Sequence, residues 1–159
     1  MVERADDLYG ELGGVTAILA NWIAGCGAII GTVLLQFAAQ ALLMRLAARH
    51  RASLLRVGLR RPRFVLPILF VVFVLILGHL LQMGVWALAY AALGELDGLA
   101  NLFYFSVASY TSVGAAHLEL STQHRILGAL EAGVGTLMFG WSTALLVALL
   151  MRTGEGEGP

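Results

Sequence analysis

Residues 99–118 read LANLFYFSVASYTSVGAAHL, a short apolar stretch that ends in a run of small residues. As a helix at about 1.5 Å per residue, the apolar part, 99–111, is about 20 Å long, whereas the hydrocarbon core of a membrane is about 30 Å thick. A segment of this length at membrane depth enters and leaves on the same side, and it is stable only when it is buried in protein or lines a wet cavity. The stretch therefore predicts a short helix followed by an irregular re-entrant loop.

The chain around this stretch is apolar over lengths that can cross a membrane. Three segments, 15–47, 64–94 and 126–151, are each longer than the roughly 20 residues that a spanning helix needs. Of the 159 residues, 59% are hydrophobic and 13% charged, against about 45–50% and about 25% in soluble domains. These figures exclude an ordinary soluble domain and leave no room for a separate catalytic domain. They predict an all-α membrane protein with three transmembrane helices, and the single cysteine, Cys26, excludes an intrachain disulfide.

The charges orient these spans. Seven of the ten basic residues lie between or beside the first two spans, with no acidic residue among them: Arg45, Arg49, Arg51, Arg56, Arg60, Arg61 and Arg63. By the positive-inside rule this region is cytoplasmic, which places the N-terminus outside and the C-terminus in the cytoplasm. The acidic start of the chain is unlike a secretory signal, so we expect the first span to be retained. The small size and three-span plan favour a bacterial inner membrane.

The loop at 111–117 resembles the selectivity filter of the tetrameric potassium-channel superfamily, whose signature is T-x-T-T-V-G-Y-G-D. Thr111, Val113 and Gly114 match that signature, and Ser112 is a conservative replacement. The aromatic residues Phe103, Tyr104, Phe105 and Tyr110 lie where the family has its pore helix, Gly135 lies where it has a hinge glycine, and Arg125 opens the inner helix as an arginine often does there.

The resemblance implies a fold and an assembly. It covers 64–151 as a pore module, with an outer helix at 64–94, a pore helix at 98–111, a filter-like loop at 112–118 and an inner helix at 125–151. The remaining parts are an extracytoplasmic N-terminus at 1–14, an extra transmembrane helix at 15–47, a cytoplasmic Arg-rich loop at 48–63 and a cytoplasmic tail at 152–159. A homotetramer closes the ring of filters, with potassium and sodium as permeant ions and no cofactor.

The sequence departs from the signature in the outer half of the filter. Ala115 replaces the tyrosine, Ala116 the second glycine and His117 the aspartate. Alanine at a left-handed position costs about 1 kcal/mol or more in each subunit, and loss of the tyrosine removes the packing that fixes the bore. We therefore expect a reshaped filter and a cation channel with weak or altered potassium selectivity. The alternative is a non-conducting structural or regulatory member of the same fold.

Further residues have both functional and structural interpretations. His117 and Glu119 lie at the predicted outer mouth, where His117 either titrates or caps the loop. Glu131, the one carboxylate inside a span, either braces the pore helix near Ser109 or Tyr110 or faces the ion path. Gly135 and Phe139 are candidates for a hinge and a hydrophobic gate.

Other expectations concern local structure and excluded chemistry. Asp97 is the expected N-cap of the short helix, and Trp86 and Tyr90 fit the membrane interface. The spacing of His117, Glu119 and His124 matches no strong metal motif. Only His79 and Glu131 could serve an enzyme at membrane depth, and they lie on different helices, so we expect neither catalysis nor a metal site. The basic run sets topology; it also suits anionic lipid headgroups, but it is no sign of nucleic-acid binding.

Overall fold

Four helices make up the described part of the chain. The computed structural model describes residues 2–55 and 65–154, with α1 at Val2–Leu55, α2 at Val65–Ala92, α3 at Leu99–Tyr110 and α4 at Ile126–Gly154. Three segments are long and apolar enough to cross a membrane: Gly14–Arg49, Leu66–Ala92 and Ile126–Met151. As predicted, the chain is all-α over the described residues and has three helices able to span a membrane.

Each long helix contains one of the three apolar segments, and the helix ends follow the local sequence. Pro67 lies in the first turn of α2, where the backbone N–H groups have no helical partner to lose. Helix α1 is longer than its apolar segment and continues to Leu55. Residues 56–64, with the last four arginines of the predicted loop, and residues 155–159 of the predicted tail lie outside the described residues.

The short helix α3 begins at a glycine turn. Its N-cap is Gly98, which has φ 84° and makes no side-chain capping hydrogen bond. The prediction of Asp97 as the N-cap is therefore wrong, because the capping position adopts a left-handed conformation that favours glycine. Asp97 contributes only its backbone carbonyl, which accepts a hydrogen bond from Asn101 Nδ2 at 2.9 Å.

The contacts divide the chain into two units, of which the first comprises Met1–Thr32 and Met83–Thr136. Its core is aromatic: Trp86, Tyr90 and Tyr110 have no exposed surface. The edge of the Tyr90 ring meets the Phe105 ring at a centroid distance of 5.2 Å. Trp86 and Tyr90 are thus buried inside the protein rather than lying on its surface, and their level at the membrane interface stays a prediction.

The second unit comprises Val33–Gln82 and Leu137–Pro159. Leu43, Leu75 and Leu145 form its apolar cluster. Its buried polar side chains pair with one another, since Gln82 Nε2 donates to Gln36 Oε1 and Gln36 Nε2 donates to Ser142 Oγ, both at 2.9 Å. Ser142 Oγ also lies 3.1 Å from His79 Nε2. These polar side chains of the second unit therefore find hydrogen-bond partners on neighbouring helices, as the low dielectric favours.

Candidate functional site

The loop that follows α3 folds back onto the end of that helix. The backbone N–H of Thr111 donates to Val107 O at 3.1 Å, and that of Ser112 donates to Ser109 O at 2.9 Å. The next two N–H groups, of Val113 and Gly114, both donate to Ala108 O at 3.0 Å. These bonds provide donors for the carbonyls of Val107, Ala108 and Ser109, which lie in the last turn of α3, where a helix leaves its carbonyls without partners.

This hydrogen bonding fixes the direction of the loop carbonyls. A trans peptide is planar, so that its C=O points opposite to the N–H of the next residue. The N–H groups of Ser112, Val113 and Gly114 point at the end of α3, and the carbonyls of residues 111–113 therefore point away from it. Residues 111–114 are all exposed, and no backbone or side-chain donor within the described chain reaches these carbonyls. The loop thus presents a short row of free acceptors.

The backbone of the loop alternates in handedness at two positions. Ser112 has φ 59° and Gly114 has φ 83°, while Ala115 and Ala116 are absent from the left-handed residues of the described chain. The expectation that the alanines adopt costly left-handed conformations is therefore wrong. The left-handed positions of the loop are instead Ser112 and Gly114. This conformation costs a residue with a Cβ about 1–2 kcal/mol, whereas glycine adopts it readily.

Glu131 lies behind α3 and joins three helices. It is fully buried and accepts a hydrogen bond from the Tyr90 hydroxyl of α2 at 2.6 Å. Its other carboxyl oxygen lies 2.5 Å from Ser106 Oγ of α3. The partner on α3 is thus Ser106, about one turn before the Ser109 suggested by the sequence. Tyr110 is fully buried nearby.

Gly135 lies against the C-terminal end of α3. A Cβ atom added at Gly135 would lie 2.2 Å from the carbonyl oxygen of Tyr110 and 3.0 Å from its carbonyl carbon. The absence of a side chain at Gly135 therefore allows α4 to contact the end of α3, which is a different role from the predicted hinge. Phe139, the predicted gate residue, belongs to the second unit, where its ring centroid lies 4.6 Å from that of His79.

Helix α3 and the two connections that flank it, residues 93–98 and 111–125, form a hairpin between α2 and α4. A polar cluster joins the two connections of this hairpin. Glu95, from the α2–α3 connection, accepts hydrogen bonds from both the backbone N–H and the hydroxyl of Ser121 at 2.7 Å. His124 Nδ1 lies 2.5 Å from Glu95 Oε1. Burial alone would raise the pKa of Glu95, but the bonds from Ser121 and His124 outweigh it and hold the pKa below its usual value.

This cluster resembles a Ser-His-Glu triad in composition but cannot act as one. A triad uses one ring nitrogen for the acid and the other for the nucleophile, whereas His124 meets both Glu95 and Ser121 through Nδ1. The cluster is therefore a clamp between the two connections. In the described part of the chain no three His, Cys, Asp or Glu side chains gather as a metal site.

The remaining outer-mouth residues, His117 and Glu119, are exposed. Within the described residues, neither forms a hydrogen bond with Glu131 or with Gly135. The described chain therefore brings most of the predicted residues into two groups. One is the loop of residues 111–116, and the other is the support behind α3. Sequence analysis did not identify Ser106, Glu95 or Ser121, and it considered His124 only in a metal motif and not in this cluster. The pairing of Gln36, Gln82 and Ser142 was also not predicted.

Comparison with known proteins assigns no family. The chain matches no family model, and neither the curated proteins nor the solved structures contain a match to it.

Proposed function

We propose that four copies of this chain surround a central pathway and conduct monovalent cations passively. The observation that carries the proposal is the row of carbonyls at Thr111, Ser112 and Val113. These carbonyls point away from α3 and accept no hydrogen bond within the described chain. At membrane depth such carbonyls need partners. Rings of backbone carbonyls can replace the hydration shell of a cation, and symmetric copies of one loop would complete the ring.

The exposed surface of α4 supports an assembly. In the first unit α4 exposes Ala129, Gly133 and Thr136. In the second unit, beside apolar residues such as Leu137, it exposes Gly140 and Thr143. Many exposed large side chains of α1 and α2 are apolar, as a lipid-facing surface requires: Ile18, Leu19, Ile23, Leu34, Leu66, Phe73, Ile76 and Leu88. Helix α4 also exposes large apolar side chains, such as Ile126, Val147 and Met151, beside the small and hydroxyl-bearing residues. Small and hydroxyl-bearing residues suit close helix contacts or a wet pathway.

The proposed selectivity is weak between potassium and sodium. The hydrogen bonds to α3 fix the direction of only three loop carbonyls, those of Thr111–Val113, and Ala115, Ala116 and His117 replace the residues that stabilise the outer filter in the resembled family. In the proposed arrangement the chain lies in the cell membrane of a bacterium, with the N-terminus outside and the C-terminus in the cytoplasm. Arg45 and Arg49, which are exposed at the end of the first span, then face the cytoplasmic headgroups.

The test is ion flux through the purified protein in liposomes. With potassium on one side and sodium on the other, we expect a measurable current that reverses near zero potential. Protein that is folded and tetrameric by crosslinking but carries no current would overturn conduction and favour the structural or regulatory alternative. A reversal potential close to that of potassium would contradict the proposed weak selectivity alone.

A cysteine variant locates the pathway. In a Cys26→Ser background, we expect a charged thiol reagent to block current through Val113→Cys, because Val113 is 81% exposed beside the free carbonyls. Leu88→Cys on α2 is the matched control, since Leu88 is also exposed, at 66%, but faces lipid in the proposed assembly. Equal block of both variants, or of neither, would show that the current does not pass this loop.

A further inference from the structure

The contacts around Glu131 require more hydrogens than its neighbours can supply. Three close oxygen pairs are present: Tyr90 Oη with Glu131 Oε2 at 2.6 Å, Ser106 Oγ with Glu131 Oε1 at 2.5 Å, and Ser106 Oγ with Met83 O at 2.7 Å. Two oxygen atoms at such distances need a hydrogen between them. The tyrosine and serine hydroxyls carry one hydrogen each, and the Met83 carbonyl carries none.

The missing hydrogen has one source. Tyr90 can donate only to Glu131 Oε2, and if Ser106 donates to Glu131, then its contact with the Met83 carbonyl has no hydrogen. If Ser106 donates to Met83, then Glu131 Oε1 must carry a proton. We infer that Glu131 is held as a neutral carboxylic acid, which donates to Ser106 Oγ, while Ser106 donates to Met83 O and Tyr90 donates to Glu131 Oε2.

The surroundings favour the neutral acid. The Glu131 side chain has no exposed surface, and an unpaired charge in such a place is costly. The titratable groups that act on it are Tyr90 from α2 and Tyr110 from α3, both hydroxyls that offer no positive charge. Towards α1, this part of α4 meets Gly25 through Leu127 and Leu130.

The proton has a positional role. It completes a directed chain from α4 through Ser106 of α3 to the Met83 carbonyl of α2, with Tyr90 of α2 closing the other side. Loss of the proton would leave Ser106 with two acceptors and one hydrogen, so that α3 would lose a bond either to α2 or to α4. Glu131 is thus a positioning residue whose protonated form holds α3 in place.

Infrared spectroscopy tests this proton directly and needs no ion flux, so its outcome is separate from that of the conduction experiment. At neutral pH we expect the wild-type protein to show the C=O stretch of a protonated carboxyl group, shifted in D₂O and lost in Glu131→Gln. In Tyr90→Phe, which removes the hydrogen bond to Oε2, we expect the same band at higher frequency. A wild-type spectrum without a protonated-carboxyl band overturns the inference, whether or not the variants fold.

A stability comparison gives a second readout. In Glu131→Gln the amide can donate to Ser106 and accept from Tyr90, so it reproduces the hydrogen bonds of the neutral acid, which Glu131→Leu cannot do. We expect the melting temperature of the wild type to fall relative to Glu131→Gln as the pH is raised from mildly acidic to mildly alkaline, because the folded state must keep a proton that the unfolded state releases. A difference that stays constant or reverses would overturn the inference.

Discussion

Gly135 of α4, a residue without a side chain, lies against the backbone at the C-terminal end of α3. A Cβ atom at Gly135 would overlap the backbone carbonyl of Tyr110, at 2.2 Å. A flexible side chain could rotate away, but a carbonyl at the end of α3 can move only with the helix. Because Tyr110 directly precedes the loop with the free carbonyls, Gly135 sets the distance between α4 and that loop.

The substitution Gly135→Ala is therefore expected to destabilise the protein. Overpacking costs about 1–3 kcal/mol or more, which exceeds the gain of about 1 kcal/mol that alanine brings to a helix interior. The measurement is the free energy of unfolding in detergent. Gly84→Ala on α2 is the control, because an added Cβ there meets nothing within 4 Å and should leave stability unchanged or raise it. Equal stability of the two variants would contradict the close contact.

Single residues differ in how far the sequence reveals them. Glu131 stands out because a carboxylate inside an apolar span needs a partner, and the sequence suggests the back of the short helix for that partner. The partner itself, Ser106, depends on how far α3 is rotated about its axis, which no local pattern encodes. The same holds for Gln36, Gln82 and Ser142, whose pairing requires the relative rotation of three helices.

At the scale of elements, α3 is held at its C-terminal end by the loop and near its start by the Glu95 clamp. Glu95 precedes α3, and Ser121 and His124 follow the loop, so their hydrogen bonds join the two connections of the hairpin. The clamp involves three polar side chains outside the apolar spans. It therefore restrains the hairpin without burying a charge in the membrane.

The clamp makes stability depend on acid pH. Because its hydrogen bonds hold the pKa of Glu95 below the usual value, its contribution is present above the unfolded pKa, about 4.3, and is lost as the pH falls through the lower, folded pKa. We expect Glu95→Gln to lower the melting temperature at neutral pH and to converge with the wild type in strong acid. Glu119→Gln is the control, since Glu119 is exposed in the α3–α4 connection, close in sequence to Ser121 of the clamp. A Glu95→Gln deficit that is independent of pH would rule out the carboxylate as its cause.

The elements themselves follow from the sequence to different degrees. Apolar length predicts the three long helices, and the short segment at 99–111 closely matches α3 at Leu99–Tyr110. The loop conformation does not follow, because the left-handed positions depend on how its N–H groups return to the carbonyls of Val107, Ala108 and Ser109. That is why Ser112, and neither alanine, has a positive φ.

At the scale of the whole molecule, neutral polar networks supplement apolar packing between the helices. In the first unit Tyr90, Ser106 and Glu131 join α2, α3 and α4. In the second unit Gln82, Gln36 and Ser142 join α2, α1 and α4. Each interhelical hydrogen bond in a membrane contributes about 0.6–2 kcal/mol. Since lipid removes most of the hydrophobic drive for helix association, such networks specify which helix faces meet.

The proposed weak selectivity leads to a prediction about the assembled pore. The combined change Ser112→Thr, Ala115→Tyr, Ala116→Gly and His117→Asp restores the residues of the resembled signature. The second glycine permits left-handed backbone, the tyrosine supplies packing around the bore, and longer rows of carbonyls favour a dehydrated cation. We expect the reversal potential in potassium against sodium to move towards the potassium value.

The single change His117→Asp separates charge from geometry in that experiment. It restores the acidic mouth but leaves Ala115 and Ala116 in place, so it should raise cation current without shifting the reversal potential. If the fourfold variant assembles and conducts but shows no preference for potassium, then the backbone of this loop does not line the pathway as a filter. If His117→Asp alone shifts the reversal potential as far, then charge at the mouth, and not the carbonyl row, determines selectivity.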